Sequence, residues 1–315
     1  MKLEGTYRDP DLADRIMTTT LCMTRQCWEQ GMLAYACQFC GEKGLLQHLV
    51  QDMLVREGPD GRLCVVENTR AVTDSAFCLV PALAVSDASV RTACGRNLDF
   101  LRTRAERSAE GILYHVAGTQ EIWADSAAFL PMAFALDGDM AEALRQMRGI
   151  TACLSLSGSR LFGHIRCADG TWIDRRPWGV GNGWILTGLL RLIRVMRRHG
   201  EDTREMEAAF RDLMQAMLET RDAQGRFHDD LSDFRSFADN ETAAMVAIAL
   251  LQGIREGLLD SSCRGTAESI HACILSDVDA DGYVRNSCGS PRFDRSGTSV
   301  ESQAHMLMLE HLLTC

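Results

Sequence analysis

The sequence has no apolar run long enough to cross a membrane. Its hydrophobic stretches are broken by Asp, Arg or Gln well short of the ~18–20 residues that a spanning helix needs. The first residues, Met1 to Asp14, are charged and carry no apolar h-region, so no signal peptide is expected and a cytoplasmic location is. Positive charge is in deficit: 43 acidic residues stand against 33 Lys and Arg, a formal net charge of −10. Such a surface repels nucleic acid and anionic membranes, so neither is expected as a partner. A local basic pocket is still compatible with an anionic ligand.

Several motifs are present only in half. Cys37 and Cys40 form a C-x-x-C, but no second pair stands at zinc-finger spacing, and the pair lies inside a helical pattern. The thirteen cysteines therefore read as small buried thiols of a reducing compartment. Asp277, Asp279, Asp281 and Gly282 resemble the start of a calcium loop, yet its twelfth position is Cys288 and not Glu, which leaves a solvated turn. No strand-rich segment is present apart from Ile112 to Val116.

What the chain does have is helical periodicity and a large apolar share, 46% of 315 residues. One set of helices is amphipathic. Met206, Phe210, Leu213, Met214 and Met217 recur at helical spacing with Glu205, Arg211 and Glu219 between them. The second set is apolar nearly all round and rich in small residues, as in AAMVAIALL from Ala243 to Leu251. A helix without a charged face must be enclosed by other helices. The periodicity predicts outer helices near 10–24, 43–57, 88–106, 139–154, 201–220 and 260–276. Inner ones are predicted near 29–41, 74–86, 124–137, 182–198, 240–256 and 299–313. Six hairpins that bury one set inside the other make an all-α (α/α)6 barrel, expected as one domain over residues 1–315; a linear solenoid would not enclose every second helix.

The unusual polar and aromatic residues gather at the starts of the inner helices: Trp28, Asp74, Trp123 with Asp125, Trp178 to Trp184, Asp239 with Glu241, and Thr298 to Glu301. If the inner helices are parallel, these points meet at one barrel end, where helix N-termini favour an anion. Plainer readings exist: Thr298 with Glu301 fits a capping box, and Asp74 and Asp239 fit N-caps. Asp125 lies between Trp123 and an almost uncharged helix, so it must be paired, capped or raised in pKa, and a raised value suits a general acid. The segment Trp178-Gly-Val-Gly-Asn-Gly-Trp184 allows unusual backbone shapes and close approaches. No strand precedes it and no Gly-Lys-Ser/Thr ends it, so it is not read as a P-loop.

Trp178-Gly-Val-Gly-Asn-Gly-Trp184 is similar to the W-G-R-G-N-G-W segment of the unsaturated rhamnogalacturonyl hydrolases, glycoside hydrolase family 105, and of the related unsaturated glucuronyl hydrolases, family 88. Ile122-Trp-Ala-Asp125, Phe162-Gly-His164, Trp28-Glu-Gln-Gly31 and Gly297-Thr-Ser-Val-Glu-Ser-Gln303 resemble their other segments, in family order. The resemblance implies an (α/α)6 barrel without metal or cofactor. It implies hydration of the C4=C5 double bond of a 4,5-unsaturated uronic acid left by a lyase, with release of the neighbouring sugar. Asp125 would be the proton donor and Asp74 the assisting aspartate. Trp28, Trp123, His164, Trp178, Asn182 and Trp184 would contact the sugar. The family arginine of the glycine segment is Val180 here, and Arg166 and Arg176 are the nearby candidates to replace it. Two other readings remain: an inverting glycosidase pairing Asp125 with Asp74 or Glu241, or a sugar-binding barrel that has lost its activity.

Overall fold

The computed structural model describes residues 2–64 and 70–314, and among these it holds twelve α-helices. They alternate as the periodicity predicts. The outer set is α1 (Pro10–Met23), α3 (Lys43–Val55), α5 (Ala88–Thr103), α7 (Met140–Leu154), α9 (Arg204–Glu219) and α11 (Arg264–Leu275). The inner set is α2 (Cys27–Cys40), α4 (Ser75–Leu83), α6 (Leu130–Leu136), α8 (Gly179–Arg198), α10 (Asn240–Arg255) and α12 (Val300–Leu312). Burial separates the two: α10 is buried without interruption from Asn240 to Gly253, whereas α9 buries only one stripe from Met206 to Met217. Each inner helix packs on the next, α2 on α4, then α6, α8, α10 and α12, and α12 returns to α2. The ring is closed, which makes the architecture an (α/α)6 barrel. No helix of the described residues is long and apolar enough to cross a membrane.

The boundaries depart from the periodicity in two places that matter for the site. The predicted helix over 124–137 is a 3-10 turn, Ala124–Ala127, followed by the short α6. Pro131 has no N–H for the carbonyl four residues back, so the α-helix starts only where proline stands in its first turn. Asp125 therefore sits on a turn and not on a helix. Conversely, α8 begins at Gly179 and takes the glycine segment into its first turns. None of these three glycines has positive φ. They are needed for close approach: a Cβ at Gly179 would lie 2.5 Å from Thr242 Oγ1 and 2.7 Å from the His228 carbonyl oxygen, and one at Gly183 would meet the Met245 methyl.

Strand content is small. A three-stranded antiparallel sheet, β1 (Glu121–Trp123), β2 (Ile165–Cys167) and β3 (Trp172–Asp174), sits at one end of the barrel, and the hairpin β4 (Ser287–Cys288) and β5 (Ser296–Gly297) sits in the loop before α12. The Ile112 to Val116 stretch makes only isolated bridges.

Candidate active site

Local geometry at the helix entries decides which side chains are free to face a ligand. At α10, Asp239 is the N-cap and accepts from the Glu241 and Thr242 amides, so Glu241 is released to point inward. At α12 the cap is Ser299, paired with Ser302, and not the expected Thr298 with Glu301. A helix capped by Ser299 leaves Glu301 in its first turn with no capping duty. Asp74 occupies the N-cap position of α4 without making a cap hydrogen bond. Its Oδ1 lies 3.6 Å from His115 Nε2 instead.

These entries converge on one cavity of about 550 Å³. Asp74, Asp125, His164 and the tryptophans Trp28, Trp123, Trp178 and Trp184 all line it. Six inner-helix entries at one cavity require the inner helices to run parallel, as the sequence reading supposed.

The aromatic walls are fixed by their polar edges. The Trp123 indole N–H donates to Glu121 at 2.8 Å and the ring stacks on His115 with centroids 4.4 Å apart. The Trp178 indole N–H donates to Asp229 at 2.9 Å, and its ring lies 4.3 Å from that of His164. Trp184 packs edge-on against Phe77 and is almost fully buried. Amphipathic rings held this way present flat apolar faces to the cavity.

Asp125, His164 and Asp174 form a chain. Asp125 Oδ2 is 3.4 Å from His164 Nε2, and His164 Nδ1 is 3.1 Å from Asp174 Oδ2. Burial alone would push the Asp125 carboxyl up, but the adjacent His164, helped by His115, outweighs it and holds the group below the usual aspartate value. Burial would lower His164, yet the two flanking carboxylates raise it above an ordinary imidazole. Of the three alternatives for Asp125, paired, capped or raised, the approach of His164 favours pairing. The sequence offered no sight of the partner, because His164 stands 39 positions away and is brought in by the pairing of Trp123 with Ile165.

Two expected residues are not at the cavity. Asn182 is buried one turn into α8, where its amide accepts from the Phe162 N–H at 2.9 Å and donates to the Phe162 and Trp178 carbonyls. It ties two entry segments together. Arg166 lies on β2, donating to the Gly170 and Cys153 carbonyls and stacked over Trp172. Its guanidinium is spent on the outside of the small sheet. Arg176 does line the cavity, but its nitrogens reach Asp174 at 2.8 Å and Asp229 at 3.2 Å. Val180 is buried and lines the cavity too.

The sequence reading missed His115, Asp174, Asp229 and Arg292, all at or beside the cavity. None carried a local signal: His115 follows a short irregular segment, and Arg292 belongs to the β4–β5 hairpin that folds over from the last loop. The C-x-x-C thiols lie elsewhere, buried in α2, and burial pushes Cys40 up to about 12, which fits inert packing.

A model of Glycosyl Hydrolase Family 88 matches residues 82–301. No curated protein matches the sequence significantly. Among solved structures, the chain is similar to a possible family 105 member from Salmonella enterica (15% identity, TM-score 0.80, 98% of this chain and 94% of that one). It is also similar to a family 105 glycoside hydrolase of C. acetobutylicum (16% identity, TM-score 0.79, 96% and 98%). A third is unsaturated glucuronyl hydrolase from Bacillus sp. GL1 (17% identity, TM-score 0.66, 91% and 84%). At these identities the structural likeness speaks for the fold alone.

Proposed function

We propose that this chain, which belongs to Glycosyl Hydrolase Family 88, hydrates the C4=C5 double bond of a 4,5-unsaturated uronic acid at the end of an oligosaccharide and so releases the adjacent sugar. The observation that carries the reading is the Asp125–His164 pair beside Asp74 in a cavity walled by tryptophan. One of the similar solved structures is named as a UGL variant with dGlcA-Glc-Rha-Glc.

The chemistry needs one proton delivered to carbon. Asp125, as the acid, gives it to C4 of the enol ether; positive charge develops at C5 and the ring oxygen; water then adds at C5 with Asp125, now a carboxylate, taking its proton. The hemiketal so formed opens and expels the neighbouring sugar. His164, raised by Asp125 and Asp174, and Asp125, lowered by His164, stand 3.4 Å apart. A bound sugar excludes water from the pair, which favours its neutral carboxyl–imidazole form and places the proton on Asp125. Asp174 holds the imidazole in place throughout. Asp74, raised by burial against the opposing pull of His115, lines the cavity as the assisting aspartate. The aromatic walls supply faces for the sugar ring.

Residues of the whole described chain contribute to this one cavity, and we read it as one catalytic domain. Free, mostly buried thiols suit a reducing, cytoplasmic setting. The test is to incubate the protein with lyase-generated disaccharides and follow the ultraviolet absorbance of the conjugated enol ether. Loss of that band with release of the second sugar supports the reading; an unchanged band with every unsaturated uronide overturns it.

A further inference from the structure

The substrate of the proposed reaction is an anion, and the cavity it must enter is rich in acid: Asp74, Asp125, Asp229, Glu241, Asp294 and Glu301 all line it. The cations that face it are few, and His164, raised by Asp125 and Asp174, lies between those two carboxylates. Arg176 is already bound to Asp174 and Asp229. Position 180 carries valine. Arg292 lines the cavity from an exposed hairpin, at the rim. Helix N-termini do not make up the deficit. At α10 the Glu241 and Thr242 amides are taken by Asp239, and at α12 the Ser302 amide is taken by Ser299.

Besides Asp125, whose Oδ2 has only His164 at 3.4 Å, two carboxyl groups at the cavity are both buried and incompletely bonded. Glu241 is fully buried; its Oε2 accepts from the Ser299 hydroxyl at 2.8 Å and its Oε1 has no partner. Glu301 is 3% exposed and its Oε2 has no partner. The Thr298 hydroxyl, on the segment leading into α12, is a further buried atom without a partner. A buried polar atom without a partner costs about 1–3 kcal/mol, so atoms of this kind in contact with a cavity mark where a ligand completes the bonding.

We propose that Glu241 and Glu301 form the subsite for the substrate's own carboxylate, which they hold through carboxyl O–H donors where an arginine would otherwise stand. The proposal rests on the function read above, and takes it one step further, to how the anion is recognised. A carboxylic acid donating to a carboxylate makes a short charge-assisted hydrogen bond.

The surroundings keep the donors protonated. Burial pushes Glu241 well up, with Glu301, Asp239 and Asp125 adding to it and the Ser299 hydroxyl opposing. Burial pushes Glu301 up to about 8, reinforced by Glu29 from α2 and Asp74 from the α4 entry, while its own amide and the Trp28 indole pull the other way. His305, one turn along α12, is driven toward its neutral form by burial and Arg191, so it supplies no counter-charge. Cys288 from β4 faces Glu241 as a neutral thiol, raised by burial and by Asp239.

The experiment is the pH profile of KM between pH 6 and 9.5, for an unsaturated uronyl disaccharide and for its methyl ester. With the acid substrate KM should rise about tenfold per pH unit above about 8, as the subsite loses its proton and turns repulsive. With the ester it should stay level. Glu301→Gln keeps an N–H donor at every pH and should level the profile for the acid; Glu241→Gln is the second variant should the first not fold. Equal profiles for acid and ester would overturn the proposal, since the pair would then be binding hydroxyl groups. An unaltered profile in the folded variants would overturn it as well. If neither substrate is turned over, the proposed function fails, and calorimetry with glucuronate at pH 6.5 and 9 decides separately. Affinity at least tenfold weaker at pH 9 in the parent, and level in Glu301→Gln, sustains the anion subsite; equal affinity in the parent overturns it.

Discussion

At the scale of single residues, Asp125 shows what a sequence can and cannot deliver. Its place between Trp123 and an apolar segment marked it as a carboxylate with a special environment, and the cavity contains it. The direction of its pKa was not legible, because the deciding neighbour, His164, arrives through the Trp123–Ile165 pairing. The same holds for the cations: Arg166 and Arg176 were near in sequence to the missing arginine, but one is stacked over Trp172 and the other is held by two aspartates. Asp125→Asn keeps the shape of the side chain and removes the transferable proton. Turnover should fall by at least ~10²-fold while binding of a substrate-like sugar persists. Measured kcat and product-inhibition constants check this, and near-parental kcat would remove Asp125 from its proposed role. His164→Gln should act differently: it takes away the imidazole paired with Asp125, so the acidic limb of the pH–kcat profile should move, since Asp125 would lose the partner that holds its carboxyl low.

At the scale of elements, the alternation of amphipathic and all-apolar helices was readable because burial imposes a period on hydrophobic residues. The ends of those helices were not, because they depend on who caps whom. Ser299 in place of Thr298, and the proline-delayed start of α6, are choices between neighbouring positions of similar chemistry. The glycines of α8 could have served unusual backbone shapes or close approach, and they serve close approach. This distinction can be tested within the inner ring. Gly31 of α2 lies against the backbone of α4, where a Cβ would stand 2.6 Å from the Phe77 carbonyl oxygen and 2.7 Å from the Cys78 nitrogen. A Cβ at Gly183 meets chiefly the flexible end of Met245. Alanine in a helix gains about 1 kcal/mol over glycine, so the clash decides the sign. Gly31→Ala should destabilise by ~1–3 kcal/mol or more, because two helices must separate. Gly183→Ala should cost clearly less, since a methionine terminus can turn aside. Thermal melts of the two variants check the order; the reverse order would mean that the α2–α4 contact is looser than described.

At the scale of the molecule, a closed ring of parallel inner helices brings six chain segments, from Trp28 to Glu301, to one cavity. Closure buries more acid than base around that cavity, and this couples the site to the stability of the fold. In the folded chain Glu301 is raised from 4.5 to about 8 by burial and Glu29. Between these values the folded state holds a proton that the unfolded chain has given up. The resulting stabilisation is complete below about pH 4.5, declines as pH rises, and is gone above about pH 8. Glu241, Asp74, Asp229 and Asp239, all raised chiefly by burial, act in the same sense. His164 also does so, being raised by its two aspartates, and its share is lost as pH climbs through its folded-state value. Asp125 acts in the opposite sense, since its lowered carboxyl favours the fold at higher pH. Its gain is complete above the ordinary aspartate range, so from pH 5.5 to 8.5 the raised groups set the slope and the melting temperature should decline. Glu301→Gln has no proton to lose at that position. Its melting curve should fall less steeply, and the gap over the parent should widen steadily toward pH 8.5. Calorimetric scans of both proteins at half-unit pH steps check this. Parallel curves would mean that Glu301 is already ionised in the folded chain, and both the stability coupling and the O–H donor in the cavity would go with it.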